Sequence, residues 1–359
     1  MEKLILRYFN LLRTAIAITI GVILSIIIIY IVSREPTFSL KAFLLGPFQN
    51  TTTIGNIIET ASPIIFCGIA IAMSFQAMQF NIGAEGAFFI SAAVGTAFAV
   101  STQMPSFLHI VTILLISAIT GALWGYIPGF LKAKFMASEI VSTLMLNYVA
   151  YYSGLYLINY HFRDKKAGFM VSHRLAESAW LRQFIAGTRI HWGIILALAF
   201  ALITYYLLYH TTLGYEIRTT GSNQNFARFG GINVFKVIII SQMLTGLIAG
   251  FGGMTEVMGI HRRFTWQLSP GYGWDGVIVA LIGKNHPIYI VFASLFLSYL
   301  RVGGQQLKLL SDVPPELVLV IQAIIILLIT AEAFLRNVKN RIAIRKAGYS
   351  KEAGIEHDS

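Results

Sequence analysis

The sequence predicts an all-α polytopic membrane protein of about ten transmembrane helices arranged as an inverted repeat. Three observations carry this. Hydrophobic residues make up 56% of the 359 residues and charged ones only 12%. Helix-length apolar runs recur along the chain, without the apolar–polar alternation of an outer-membrane barrel. Two of the runs are interrupted by a glycine-flanked acid, Gly83-Ala84-Glu85-Gly86 and Gly273-Trp274-Asp275-Gly276. A central carboxylate costs about 2.5–3.5 kcal/mol on insertion scales, and glycine lets a helix start abruptly or a backbone approach closely. Paired interruptions of this kind mark a pathway between structural repeats. Each acid can equally sit at a helix N-terminus, where the dipole favours negative charge.

Taken in order, residues 1–13 form a basic amphipathic lead on the cytoplasmic membrane surface, with Leu4, Ile5, Tyr8, Phe9 and Leu12 on one side. Residues 14–335 form the spanning domain. Its first span, Thr14–Val32, is too long for a signal-peptide core, and Lys3, Arg7 and Arg13 hold the N-terminus inside. Residues 33–56 are a polar external segment. The second span is Ile57–Met78, with Pro63 inside it. The break at Asn81–Gly86 precedes a third span ending at Val100.

Pro105 opens the fourth span, which ends at Phe130, and Lys132 and Lys134 mark the cytoplasm again. Glu139–Tyr160 is the fifth span, and its spacing puts Glu139, Ser142 or Thr143, and Asn147 on one face. Residues 161–190 are an external loop whose surplus of basic residues runs against the positive-inside trend. The sixth span is His191–His210. Residues 211–236 return through the cytoplasm. The seventh span, Val237–Met258, carries the small-xxx-small pair Gly246 and Gly250, a close-packing signal.

Gly276–Gly283, Ile288–Leu300 and Leu317–Leu335 are the last three passes, with a turn at Lys284-Asn285-His286-Pro287 and a polar stretch from Arg301 to Pro315. Several passes fall short of the roughly 20 residues a full span needs, which points to half-helices. The tail, residues 336–359, is basic and cytoplasmic. Passes two to five start outside and passes seven to ten start inside, and the motif precedes the second member of each set.

The net charge of +11 is spread over loops and tail and reads as topology and headgroup contact, so no nucleic-acid partner is expected. The single cysteine, Cys67, lies in an apolar run, so no internal disulfide forms. The chain has no phosphate-binding loop, no His-Glu-x-x-His and no Gly-x-Ser-x-Gly. No catalytic residue, no metal ligand and no cofactor of its own is expected.

Polar residues in the spans are mild: Asn81, Thr143, Asn147, Gln242 and Thr255, with Phe75, Phe80, Tyr148, Trp266 and Trp274 among the aromatics. Amides and hydroxyls suit a neutral polyhydroxylated solute, and aromatic faces stack on a sugar or base. Alternatively, Thr143 and Asn147 bond across neighbouring helices, and the aromatics form interfacial belts. Glu59, Glu139 and Glu256 are expected at the membrane edge. In the connection 211–236, Ser222 or Asn223 caps a short helix through Phe229, stopped by Gly230-Gly231. Such a helix presented to the cytoplasm suits docking on a motor; a solvated interhelical loop is the plainer alternative.

Asn81–Gly86, Glu139–Tyr148, Leu213–Ile232 and Gly271–Pro287 together resemble the membrane permeases of bacterial ABC importers for simple sugars and nucleosides, the branched-chain amino acid/ribose-type superfamily. The permeases that work with basic membrane lipoprotein-type binding proteins are the most similar. The resemblance covers nearly the whole chain. It implies a subunit of an inner-membrane importer in which a periplasmic or lipoprotein binding protein delivers solute. A second permease, expected to be a paralogue, completes the path, and a cytoplasmic ATPase holding ATP and Mg grips the 211–236 loop. It further implies a path at Asn81, Glu85, Thr143, Asn147, Trp274 and Asp275, and coupling through Glu216, Arg218, Phe226, Ala227 and Arg228. Ala87 stands where relatives often carry Gln, and Gln76 where they often carry Arg. The expected solute is a nucleoside, with riboflavin or a simple sugar as the alternative. A proton-coupled secondary carrier using Glu85 and Asp275 is the reading from another class, and an intramembrane enzyme ranks last.

Overall fold

A computed structural model describes residues 23–327, apart from 25, 315, 319, 321, 325 and 326. The lead 1–13, most of the first span, the end of the last span and the tail 336–359 lie outside the described residues. These fall into two compact units, one of residues 47–302 and one of the flanking segments. The helices are α1 (Pro36–Leu44), α2 (Thr51–Gln76), α3 (Ala84–Ser101), α4 (Ser106–Phe135), α5 (Glu139–Tyr156), α6 (Gly193–His210), α7 (Thr212–Ser222), α8 (Gln224–Phe229), α9 (Val234–Glu256), α10 (Tyr272–Ile282) and α11 (Pro287–Leu310). Among the described residues no strand forms; the only β pairing is two isolated bridges, Arg163 to Ser172 and Gln183 to His191. Six helices there are long and apolar enough to cross a membrane: α2, α3, α4, α6, α9 with its following π-turn, and α11.

In the larger unit the tightest crossing joins α4 to α9. A Cβ on Gly121 would strike the Gly246 carbonyl, one on Gly125 the Gln242 carbonyl, and one on Gly250 would lie 2.7 Å from the Ser117 carbonyl oxygen. Backbones therefore touch directly, which is how helices associate where lipid supplies no hydrophobic drive. The Gly246/Gly250 signal is met, and its partners are glycines of α4 at the same four-residue spacing. Around this crossing α2 and α3 are almost wholly buried.

The loop 161–190 is ordered. It folds onto the residues after α9 through Ser172 N–H to the Phe264 carbonyl (3.1 Å), Leu175 N–H to the Arg262 carbonyl (2.9 Å) and Leu181 N–H to the Met258 carbonyl (3.2 Å). Leu175, Leu181, Met258 and Phe264 close a hydrophobic cluster there with Phe89. In the smaller unit, the Ser33 hydroxyl donates to Asp312 at 2.6 Å and the Arg34 N–H donates to the same carboxylate at 2.7 Å. These two bonds, the hydroxyl first, hold the Asp312 carboxyl below its usual value.

Four expectations on extents and placement change. The polar segment 33–56 contains α1, and α2 begins at Thr51, where the Thr53 hydroxyl accepts the Asn50 N–H at 3.2 Å and closes the helix start. The polar stretch from Arg301 to Pro315 is helical over its first part: α11 runs on to Leu310, and Arg301 within it pairs with Asp275. Glu256 is not among the headgroups; it is 2% exposed, and its Oε1 lies 3.5 Å from the Tyr272 hydroxyl and 3.9 Å from His261 Nε2. Within the connection 211–236, residues 212–222 are themselves a helix, whose start the Thr211 hydroxyl caps by accepting the Gly214 N–H at 3.2 Å.

Candidate functional site

The two interrupted motifs meet. The break at residues 77–83 delivers the first turn of α3 against the first turn of α10, an 11-residue helix. At 1.5 Å per residue α10 is about 16 Å long, roughly half the hydrocarbon thickness. The buried Glu85 carboxylate of α3 accepts the Ser269 hydroxyl and the Gly271 N–H (2.8 Å) on one oxygen, and the Gly273 N–H on the other. It therefore caps α10 rather than its own helix, and its charge sits at the positive end of that helix dipole.

The glycines of both motifs have steric causes. A Cβ on Gly273 would lie 2.5 Å from the Glu85 nitrogen, and one on Gly276 2.7 Å from Cys67. On the other motif, a Cβ at Gly86 would lie 2.6 Å from Asn147 Oδ1 and one at Gly83 2.9 Å from Asn81 Oδ1. The acids are not in equivalent register: Glu85 is the second residue of α3 and Asp275 the fourth of α10. Asp275 is buried and pairs with Arg301 of α11, whose guanidinium also lies 5.9 Å over the Tyr272 ring.

Helix α5 supplies the partners of the break. Asn147 accepts the Gly86 N–H at 2.9 Å and donates to the Ile82 carbonyl at 3.0 Å. The Thr143 hydroxyl accepts the Ile82 N–H at 3.3 Å. Asn81 accepts the Gly83 N–H and donates to Gln242 of α9. Bonding across neighbouring helices, one of the two sequence readings of Thr143 and Asn147, is thus observed. It satisfies backbone groups that a broken helix leaves open in a medium without water.

A cavity of about 390 Å³ opens beside this junction. Glu85, Asn147 and Trp274 line it with Phe89, Tyr148, Tyr151, Tyr152 and Ser269. The Tyr151 hydroxyl is spent on the Gln267 carbonyl at 2.7 Å, while Tyr148 and Trp274 make no hydrogen bond among the described residues. Asn81 and Thr143 instead border a small cavity of about 10 Å³, with Ala87, Trp124 and Thr245. Buried nitrogens of Trp124 and Gln242 have no partner among the described residues beside it. Of the six expected path residues, three line the larger cavity, two the smaller one, and Asp275 is turned to Arg301. Arg301 and Ser269 escaped sequence reasoning. The isolated arginine following an apolar run was the available signal, since a buried acid needs a counter-charge.

The expected coupling residues divide between two helices. Glu216 and Arg218 lie on α7. Arg218 turns inward, donating to the Leu208 carbonyl at 2.9 Å and stacking on Tyr209. Phe226, Ala227 and Arg228 lie on α8, capped by Asn223, which accepts the N–H of Asn225 (2.9 Å) and Phe226 (3.0 Å). Ala227 is buried against Val234 and Ile238, whereas Phe226 is 63% and Phe229 93% exposed, with Arg228 exposed between them. Among the described residues no group of His, Cys, Asp and Glu is arranged to hold a metal.

A family model described as branched-chain amino acid transport system / permease component matches residues 53–330. The chain is 33% identical over 348 residues to the guanosine ABC transporter permease protein NupP of Bacillus subtilis, covering 94% of this chain and 97% of that one. It is 32% identical over 303 residues to the glucose ABC transporter permease protein TsgB13 of Haloferax volcanii, covering 81% and 80%. The nucleoside ABC transporter permease protein NupB of Lactococcus lactis is 29% identical over 327 residues, covering 88% and 90%. No solved structure matches the chain.

Proposed function

The chain belongs to the branched-chain amino acid transport system / permease component family, and from this premise we propose that it passes a nucleoside across the inner membrane as one permease of an ATP-driven importer. It is a multi-pass membrane protein and an ABC permease component. The observation that carries the solute reading is the aromatic cavity at the junction of the two broken motifs. Its volume of about 390 Å³ suits one small molecule. Tyr148, Tyr152 and Trp274 offer faces for a flat base, and the unspent Tyr148 hydroxyl and Trp274 indole N–H offer hydrogen bonds to a ribose. The relatives transporting guanosine and nucleosides support this choice. A relative named for glucose favours the sugar reading as the second one.

In this reading the path runs past Asn81, Glu85, Thr143, Asn147, Trp274 and Asp275. The carboxylate of Glu85 accepts three hydrogen bonds and that of Asp275 is ion-paired, so both acids have a structural role, and no observation favours the secondary-carrier alternative. The chain makes ten passes as an inverted repeat, with both termini, the lead 1–13 and the tail 336–359 in the cytoplasm and loop 161–190 outside. That loop, basic and folded into a fixed surface, receives a binding lipoprotein or periplasmic binding protein, which gives its surplus of positive charge a purpose. A paralogous second permease closes the open side of the cavity. A separate ATPase, carrying ATP and Mg, seats α8 through Phe226, Ala227 and Arg228, with Glu216 and Arg218 behind it. The chain itself catalyses no reaction.

The test is a purified complex with its ATPase and binding protein in nanodiscs, assayed for solute-stimulated ATP hydrolysis with purine and pyrimidine nucleosides, riboflavin, ribose, galactose and glucose. Stimulation by nucleosides, weakened by Trp274→Ala, is expected. Stimulation by a sugar alone replaces the nucleoside with the sugar.

A further inference from the structure

The first turn of α10 is gripped by ionisable groups from three other helices. Glu85 of α3 holds the Gly271 and Gly273 N–H groups, Glu256 of α9 faces the Tyr272 hydroxyl at 3.5 Å, and Arg301 of α11 pairs with Asp275. Helix α10 needs such a grip. It is short, and its second half is seated by a side chain packed on a neighbour, Val279, wholly buried against Gly68 of α2. Its first half meets α3 and α2 through Gly273 and Gly276, which bring backbones close and offer no side chain. The N–H groups held by Glu85 fix where the helix starts. At this end an anchor off the axis is what sets the rotation of the first turn.

Asp275 is that anchor. It follows Trp274 directly, and consecutive side chains on an α-helix are separated by about 100°. Trp274 walls the 390 Å³ cavity while the next residue is drawn to Arg301. Setting the direction of Asp275 therefore sets the direction of the indole. We infer that Arg301 is a positioning residue for the cavity: by holding Asp275 it fixes the rotation of α10 and so the pose of Trp274 in the solute-facing wall. This rests on the cavity being the solute site, and the test separates the two claims.

The whole complex is used, with Cys67→Ser removing this chain's one cysteine and the label counted on this chain after the partners are separated from it. Trp274→Cys is then labelled with a small maleimide, alone, with Arg301→Gln and with Asp275→Asn/Arg301→Gln. The labelling rate reads the rotation of α10 and involves no solute. In the tryptophan-containing protein, KM and kcat for nucleoside-stimulated ATP hydrolysis are measured for Arg301→Gln, Arg301→Lys and the double variant Asp275→Asn/Arg301→Gln.

The double variant leaves no unpaired buried charge, so it carries the test if Arg301→Gln alone fails to fold. Removing the pin is expected to change the labelling rate at least about threefold. It should raise KM roughly 2- to 10-fold, the loss of one well-placed aromatic contact, with kcat little changed. Arg301→Lys should restore most of KM. A double variant that folds, labels at the unaltered rate and keeps its KM overturns the inference. A changed labelling rate with unchanged KM supports the pin and overturns the cavity as the solute site.

Discussion

Asn147 shows how a residue can border a cavity and yet be occupied with the backbone. Its amide donates to one peptide carbonyl of the break and accepts from one peptide N–H. Truncation leaves both groups unpaired in a buried, membrane-embedded setting, at about 1–3 kcal/mol for each. Asn147→Leu is therefore expected to lower the thermal midpoint of the detergent-solubilised protein by several degrees. Thr143→Val should cost less, because that hydroxyl serves the break through one longer contact of 3.3 Å. A residue of the path alone would alter transport and spare stability, so equal melting of Asn147→Leu and the unaltered protein removes this role. At this scale the sequence was half legible. The face shared by Thr143 and Asn147 follows from helical spacing, but their partners sit some sixty residues away, and nothing local names them. Arg301 was less legible still. Read along the chain it opens a polar stretch, and only the position of Asp275 in space turns it into part of a helix.

Among the elements, the crossing of α4 and α9 and the protruding α8 make opposite predictions. At the crossing, Gly121 and Gly246 each present a backbone carbonyl where the other's side chain would go. Gly246→Val is expected to destabilise by roughly 1–3 kcal/mol through overpacking, seen as a lower melting temperature and poor yield. Gly121→Val/Gly246→Val should cost less than the sum of the single changes, since one forced separation relieves both clashes. On α8, the Phe226 and Arg228 side chains are exposed and make no hydrogen bond or ion pair among the described residues. Phe226→Ala/Arg228→Ala should therefore leave melting unchanged while uptake falls and ATP hydrolysis in the complex no longer responds to solute. Unaltered transport in that double variant takes α8 out of the mechanism. The capped α8 was readable from Asn223 and Gly230-Gly231. Its neighbour α7 was not, because an 11-residue helix of mixed polarity lacks the apolar run that identifies a span.

The larger unit also contains a route from α7 and α8 to the break. A Cβ on Gly221 would enter the Gln76 carbonyl, so the end of α7 lies directly on the end of α2. Gln76 in turn donates to the Asn285 carbonyl at 3.0 Å, in the turn that joins α10 to α11. Displacing α7 must therefore move both the approach to Asn81 and the far end of α10, the two elements that frame the cavity. In the proposed mechanism such a route transmits work but does not generate it. The sequence has no phosphate-binding loop, and the Glu85 and Asp275 carboxylates are engaged in structure, one at the start of α10 and the other with Arg301. Vesicles holding this chain with its second permease but no ATPase are accordingly expected to accumulate no nucleoside, with or without an imposed proton gradient. Adding the ATPase, the binding protein and ATP should start uptake. Concentration of solute by the permeases alone would mean either that a driving ion enters by a different group or that the capping of Glu85 opens during transport.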